Sequence, residues 1–273
     1  MLPLPRALEV AVAPLLATTA NPAGEERGVD AEASLLERLT RTMDIYCERT
    51  SLDFWAEPLN AWTNGAFLIA AALILPRLWA IEGRREAKHL VTPTRVLLVE
   101  LVAIALGSFA FHTYATPLAG LADVGSIAAF IFTFLAAYLG RVLGLRPVAV
   151  VAICVGVFAA SIGLPGLIQF TPIPGFIATY FPPTLAAVAL GVIAMRRNLG
   201  GGEYLVGGAG LFVVSMIVAA LDEPLCPHFP WGTHFIWHIL NAGVLYLMLR
   251  GLLATVPTHP AENPGHDRDR TLR

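Results

Sequence analysis

Charged side chains are scarce in this sequence: 14% of its 273 residues are Asp, Glu, Lys or Arg, against 56% hydrophobic, and the mean hydropathy is +0.67. Soluble domains carry about 25% charged residues, so a water-soluble globular fold is excluded. No charged residue at all lies between Arg146 and Arg196. The net charge is only −2, and no nucleic-acid partner is expected. Cysteine is nearly absent, with three in the chain. Internal repeats and signs of a second folded domain are also missing. A series of apolar runs fills the sequence instead.

Seven runs approach the roughly 20 apolar residues that cross a hydrocarbon core as a helix. They lie near Leu59–Trp79, Val96–Thr113, Leu121–Gly140, Pro147–Gly163, Phe176–Met195, Tyr204–Leu221 and Gly232–Leu249. The uncharged stretch counts as two spans because Leu164-Pro165-Gly166 and Pro172-Ile173-Pro174-Gly175 break it; proline lacks the amide hydrogen and its ring clashes with the preceding turn. The expected fold is all-α, a seven-transmembrane-helix bundle over residues 45–253. An extracytoplasmic segment, 1–44, precedes it, and a polar, disordered cytoplasmic tail, 254–273, follows.

Basic residues orient the bundle. Arg77, Arg84, Arg85, Lys88 and Arg95 crowd the first inter-helix loop, Arg141 and Arg146 the third, Arg196 and Arg197 the fifth, and Arg250, Arg268, Arg270 and Arg273 the tail. The second and fourth loops have none, and the sixth offers Asp222 and Glu223 as its full charges. The positive-inside rule then puts the amino terminus outside and the carboxyl terminus in the cytoplasm. Ala7–Thr19, after Arg6, reads equally as a weak signal peptide ending near Ala20 or as a surface segment, since Glu9 interrupts it. Leu35, Leu36, Leu39 and Met43 recur at helical spacing, which predicts a short amphipathic helix within Ala31–Tyr46, lying on the outer face.

Against this background His112, Asp123, His234 and His238 stand out, because ionisable groups at membrane depth are expensive and mark a working site by default. At 1.5 Å rise per residue, His112 lies about 25 Å and Ser108 about 20 Å from Arg95. The same count puts Asp123 about 27 Å from Arg141, and His238 and His234 about 18 and 24 Å from Arg250. Three segments with separate reference charges thus reach one level, in the outer part of the membrane. Ser108 and His112 are four apart, as are His234 and His238, so each pair shares a helix face. Three such imidazoles can fill three corners of a tetrahedron around zinc, leaving the fourth to water. A lone membrane histidine is more often an interhelical hydrogen-bonding group, and a histidine pair also suits haem or copper. Ser108 and Asp123 at the same level favour a metal hydrolase. Glu100 is close enough to the cytoplasmic boundary to reach the interface, and Cys154 reads as a small packing residue.

Ser-x-x-x-His late in helix two, Asp early in helix three and His-x-x-x-His at the start of helix seven resemble the alkaline ceramidases and their bacterial ceramidase-like relatives. These belong to the CREST group of seven-helix membrane hydrolases. The stretches Tyr46-Cys47-Glu48-Arg49 and Phe54-Trp55-Ala56-Glu57-Pro58-Leu59-Asn60 are similar to the bacterial branch. The resemblance implies a multi-pass protein of a bacterial inner membrane, its site toward the outer face. It also implies a zinc-dependent amidohydrolase cleaving ceramide or a similar N-acyl lipid into an amine base and a fatty acid.

In that reading His112, His234 and His238 hold Zn2+, which polarises the carbonyl and lowers the pKa of water toward about 7. Asp123 would accept the water proton and pass it to the leaving amine. Ser108 would donate a hydrogen bond to the oxyanion or orient the water. The family's calcium site begins Asp-Trp-Cys-Glu, whereas Ile45-Tyr46-Cys47-Glu48 lacks the leading carboxylate, with Asp44 adjacent. Glu48, Glu57 and Asn60 could still offer oxygens to Ca2+, helped by Asp44 or Asp53. The alternative is that these acids cap helix one and solvate the outer surface. Cys47 and Cys226, both expected outside, could form a disulfide, as the related enzymes suggest.

Two other classes stay open. A non-enzymic seven-helix metal-binding receptor or transporter would tolerate buried histidines, though the Pro/Gly breaks are expected mainly at loops rather than near the midplane. A di-histidine haem protein would leave Ser108 and Asp123 without a task.

Overall fold

The computed structural model describes residues 35–171 and 174–256. The expectations for the leader and for the tail from Thr258 lie outside these residues. Among the described residues, seven helices are long and apolar enough to cross a membrane: Pro58–Glu82, Arg85–Tyr114, Pro117–Val142, Pro147–Leu167, Gly175–Arg196, Gly202–Ala220 and His234–Leu253. No strand occurs among them. These seven, numbered one to seven here, fit an integral multi-pass membrane protein.

Each helix packs on its successor and the seventh closes on the first. Helices two and seven form the interior, with 56% of their apolar windows buried, whereas helix four, at 6%, is peripheral. Leu97, Leu101 and Ile104 of helix two meet Ile74, Leu249 and Leu252 in the core. Ile69, Leu73, Val99 and Val148 stay exposed on the outside, as side chains facing lipid do. A helix apolar all round is the expected result when both its neighbours and its solvent are hydrocarbon.

Three boundaries differ from the sequence reading. Helix two proper starts at Lys88 rather than near Val96, and Arg77 falls inside helix one. Arg77, Lys88 and Arg95 are therefore helical rather than part of the first loop. Long basic side chains can lie along a helix and still deliver their charge to the interface, and Arg95 meets Glu82 at 3.0 Å. Helix four runs through Pro165 and Gly166 to Leu167, and Pro76, Pro93, Pro182 and Pro183 also lie inside helices. Each proline forfeits one backbone bond, while ending the helix in lipid would strand several polar groups. The prolines thus do not separate a hydrolase from a transporter.

The amphipathic helix is the third difference: its described part covers only Leu35–Thr40. The chain then leaves the helix, and the Met43 amide donates to the Ala115 carbonyl at 2.7 Å. That pairing draws the segment onto the turn between helices two and three. The turn itself is short. Ala115 takes a left-handed conformation (φ 48°), Thr116 accepts from the Ala119 amide at 3.3 Å, and Pro117 opens helix three. Gly107 then lets the two helices approach, since a Cβ there would sit 2.9 Å from the Ala122 carbonyl oxygen. Its neighbour Ser108 is thereby set against Asp123.

Candidate metal centre

Helix two ends two residues after His112, and helix seven begins at His234. Their side chains meet where the two helix ends converge. His112, His234 and His238 are all buried and bring ligand nitrogens within 4.8 Å of one another. Their ring centroids are 5.1, 4.7 and 4.8 Å apart. The histidines that rise per residue put at one level on helices two and seven therefore meet in one cluster.

Hydrogen bonds set the direction in which the rings face. His112 Nδ1 lies 2.6 Å from Glu57 Oε2, and a carboxylate there accepts the Nδ1 proton. Nε2 of His112 is then a bare acceptor, and it is buried without any partner. Thr63 Oγ1 donates to the Leu59 carbonyl at 2.7 Å, so its 3.0 Å contact with His238 Nδ1 leaves it the acceptor. That contact directs the Nδ1 proton of His238 to Thr63, so Nε2 carries the ring's lone pair. A carboxylate or hydroxyl that orients an imidazole from behind is the usual support for a metal-ligating histidine.

The residues expected as calcium ligands do come together, but with protein donors on every carboxylate oxygen of Glu48 and Glu57, whereas Asn60 Oδ1 is buried without a partner. Glu48 accepts from the Leu59 and Asn60 amides at 2.7 and 2.8 Å, two of the unpaired donors of a helix start. Glu48 thus does what the alternative reading foresaw and caps helix one. Glu57 accepts from Arg49 Nε at 2.5 Å, Asn60 Nδ2 at 3.1 Å and His112. Asp53 takes part through its carbonyl, which accepts from Arg49, while its carboxylate accepts from Ser51. Burial pushes the Glu48 carboxyl above the usual range, against the pull of its two backbone donors. Burial would raise Glu57 as well, yet the hydrogen bonds it accepts from His112, Asn60 and Arg49 hold it below.

Asp222, expected only as a loop charge, is buried and organises the start of helix seven. Its Oδ1 accepts from the Thr233 and His234 amides at 2.6 and 2.9 Å, and its Oδ2 from the Cys47 amide at 3.1 Å. A disulfide joins Cys47 to Cys226 beside it. Gly232 makes this possible. It has φ 62°, and a Cβ would collide with Asp222 Oδ1 and the Cys47 Cβ. Gly232→Ala should therefore cost about 1–3 kcal/mol, seen as a lower thermal midpoint in detergent, and the metal-loaded protein should lose more than the apo form.

Asp123 is buried, with Ser108 beside its carboxyl, and its Oδ1 has no partner. Asp123, His234 and Tyr46 share the wall of a hollow of about 440 Å³. Tyr46 stacks on His234 with centroids 4.0 Å apart. Burial, then the charges of Asp123 and Glu57, push its phenol well above the usual value. A second, narrower cavity of about 100 Å³ shares Ile127, Tyr180 and Trp237 with the first and continues among Phe130, Phe134 and Leu190. Its lining is almost wholly apolar.

Sequence reasoning missed Arg49, Thr63, Tyr46 and Asp222 as site residues. One signal was available: Glu57, Asn60 and Thr63 recur every third residue, a polar stripe along one face of an otherwise apolar helix. Comparison of the chain with protein-family models, with curated proteins and with solved structures gives no match in any of the three.

Proposed function

We propose that this protein is a membrane-embedded, zinc-dependent amidohydrolase of N-acyl lipids such as ceramide. The observation that carries the reading is the convergence of three buried imidazoles, with His112 Nε2 left open, beside a carboxyl whose Oδ1 is also unpartnered. Such orphaned buried atoms are costly unless something fills the space between them. The donor set suits zinc, for which three histidines and one open position make a catalytic site.

A zinc ion held there would polarise a carbonyl and make hydroxide available near neutral pH. The residues supply the rest. His112, its Nδ1 proton held by Glu57, and His238, its Nδ1 proton held by Thr63, present fixed lone pairs. Asp123 Oδ1 takes a proton from the attacking water and returns it to the departing amine nitrogen. Ser108, beside that carboxyl, orients it or donates a hydrogen bond to the oxyanion. The hollow takes the amide and headgroup, and the adjoining apolar cavity takes an acyl tail.

In this reading the site end of the bundle is the outer one, with the amino terminus outside, the carboxyl terminus cytoplasmic and a bacterial inner membrane as its setting. The exposed rings of Trp55, Trp62 and Tyr114 lie at the same end, where an aromatic belt meets the headgroups. Purified protein incubated with a panel of N-acyl lipids, with and without a zinc chelator, tests the activity by mass spectrometry of the products. Free fatty acid and amine base should form and should vanish on chelation. Chelator-insensitive cleavage would refute the zinc mechanism, and bound zinc without any product would favour a receptor.

A further inference from the structure

We propose that Arg49 is a positioning residue for the metal centre, a resident cation that does the work a divalent ion would otherwise do in front of helix one. This rests on the metal-centre reading and concerns how that centre is held. The Arg49 side chain is fully buried. Its guanidinium donates to Glu57 Oε1 at 2.5 Å and to the carbonyls of Ser51, Asp53 and His112 at 3.2, 3.4 and 3.2 Å. One carboxylate and three carbonyl oxygens around a single positive group resemble the oxygen set of a hard cation. Here the cation is covalently part of the chain.

Two of these contacts converge on His112. The guanidinium reaches its carbonyl directly, one of the unpaired acceptors at the negative end of helix two. It reaches the imidazole through Glu57, whose other oxygen holds Nδ1. Arg49 therefore fixes the backbone and the ring of the same ligand. It also compensates the buried Glu57 charge, which would otherwise be an unpaired carboxylate beside the site. Arginine suits the role because its planar fork spreads several donors and keeps its charge when buried. Lysine, with one compact ammonium, cannot make all four contacts.

Co2+ uptake reports on this without any turnover. Apoprotein of the full chain, purified in detergent, is titrated with Co2+ and followed by its visible ligand-field bands. Arg49→Ala should bind Co2+ about 10- to 100-fold more weakly than wild type, with altered bands. Millimolar guanidinium should restore both, and Arg49→Lys should fall between. The wild-type titration should be the same in Ca2+ as in a calcium-selective chelator. Wild-type affinity and bands in Arg49→Ala would overturn the inference. So would a wild type whose Co2+ affinity requires Ca2+, an arm that decides even if Arg49→Ala fails to fold. Wild-type protein that takes up no Co2+ would instead overturn the metal centre itself.

Discussion

Asp123→Asn should lower lipid turnover by about 10²- to 10⁴-fold, the range that a positioned general acid–base supplies, while zinc stays at one per chain. The substitution replaces an oxygen by a similar-sized NH2 and can keep the Ser108 contact, so the packing of helix three against helix two should survive. It removes the basic lone pairs that take the water proton. None of the three imidazoles uses Asp123 as a hydrogen-bond partner in the structure, which is why metal content should hold. Parallel measurements of product formation and zinc stoichiometry give the answer. Near-normal turnover would remove Asp123 from the proton pathway, and loss of zinc would make it a ligand instead.

His112→Gln should abolish zinc binding at micromolar metal and turnover with it. Three ligands hold a catalytic zinc, and two leave it in ready exchange with water. His112 is the ligand that joins helix two to the pair on helix seven, so its loss leaves His234 and His238 on one helix alone. Glutamine keeps an amide donor near Glu57, limiting the cost of an unpaired buried carboxylate. The fold should therefore persist by circular dichroism while metal analysis reads close to zero. Full zinc occupancy in this variant would mean that the three histidines do not share an ion.

Much of this architecture was legible beforehand because a bilayer imposes simple rules. Apolar length, with the Pro/Gly breaks that divide the uncharged stretch, located all seven helices, and rise per residue placed His112, His234 and His238 at one height. Helix ends were less legible. Arg77, Lys88 and Arg95 read as loop residues since charge suggests water, yet their long stems let the helices continue beneath them. The Pro/Gly cluster did divide the uncharged stretch into two helices, but the first runs on past Pro165 to Leu167, since a single missing amide does not end a helix in lipid. The supports behind the ligands were hardest to see. Arg49 and Asp222 act through contacts with residues 63 and 175 positions away, and no local pattern carries that information. Glu57 drew attention for its oxygens, but which cation they would meet depended on where Arg49 folds back.

The disulfide between Cys47 and Cys226 spans 179 residues, and its partners flank the first and last membrane helices. During synthesis the ribosome releases helix seven last, so a nascent chain with six helices inserted owns one ligand and no centre. The three-histidine cluster is complete only once the final segment is in place. On the proposed activity, a cell would be spared a lipid-cleaving intermediate while the protein is still leaving the translocon.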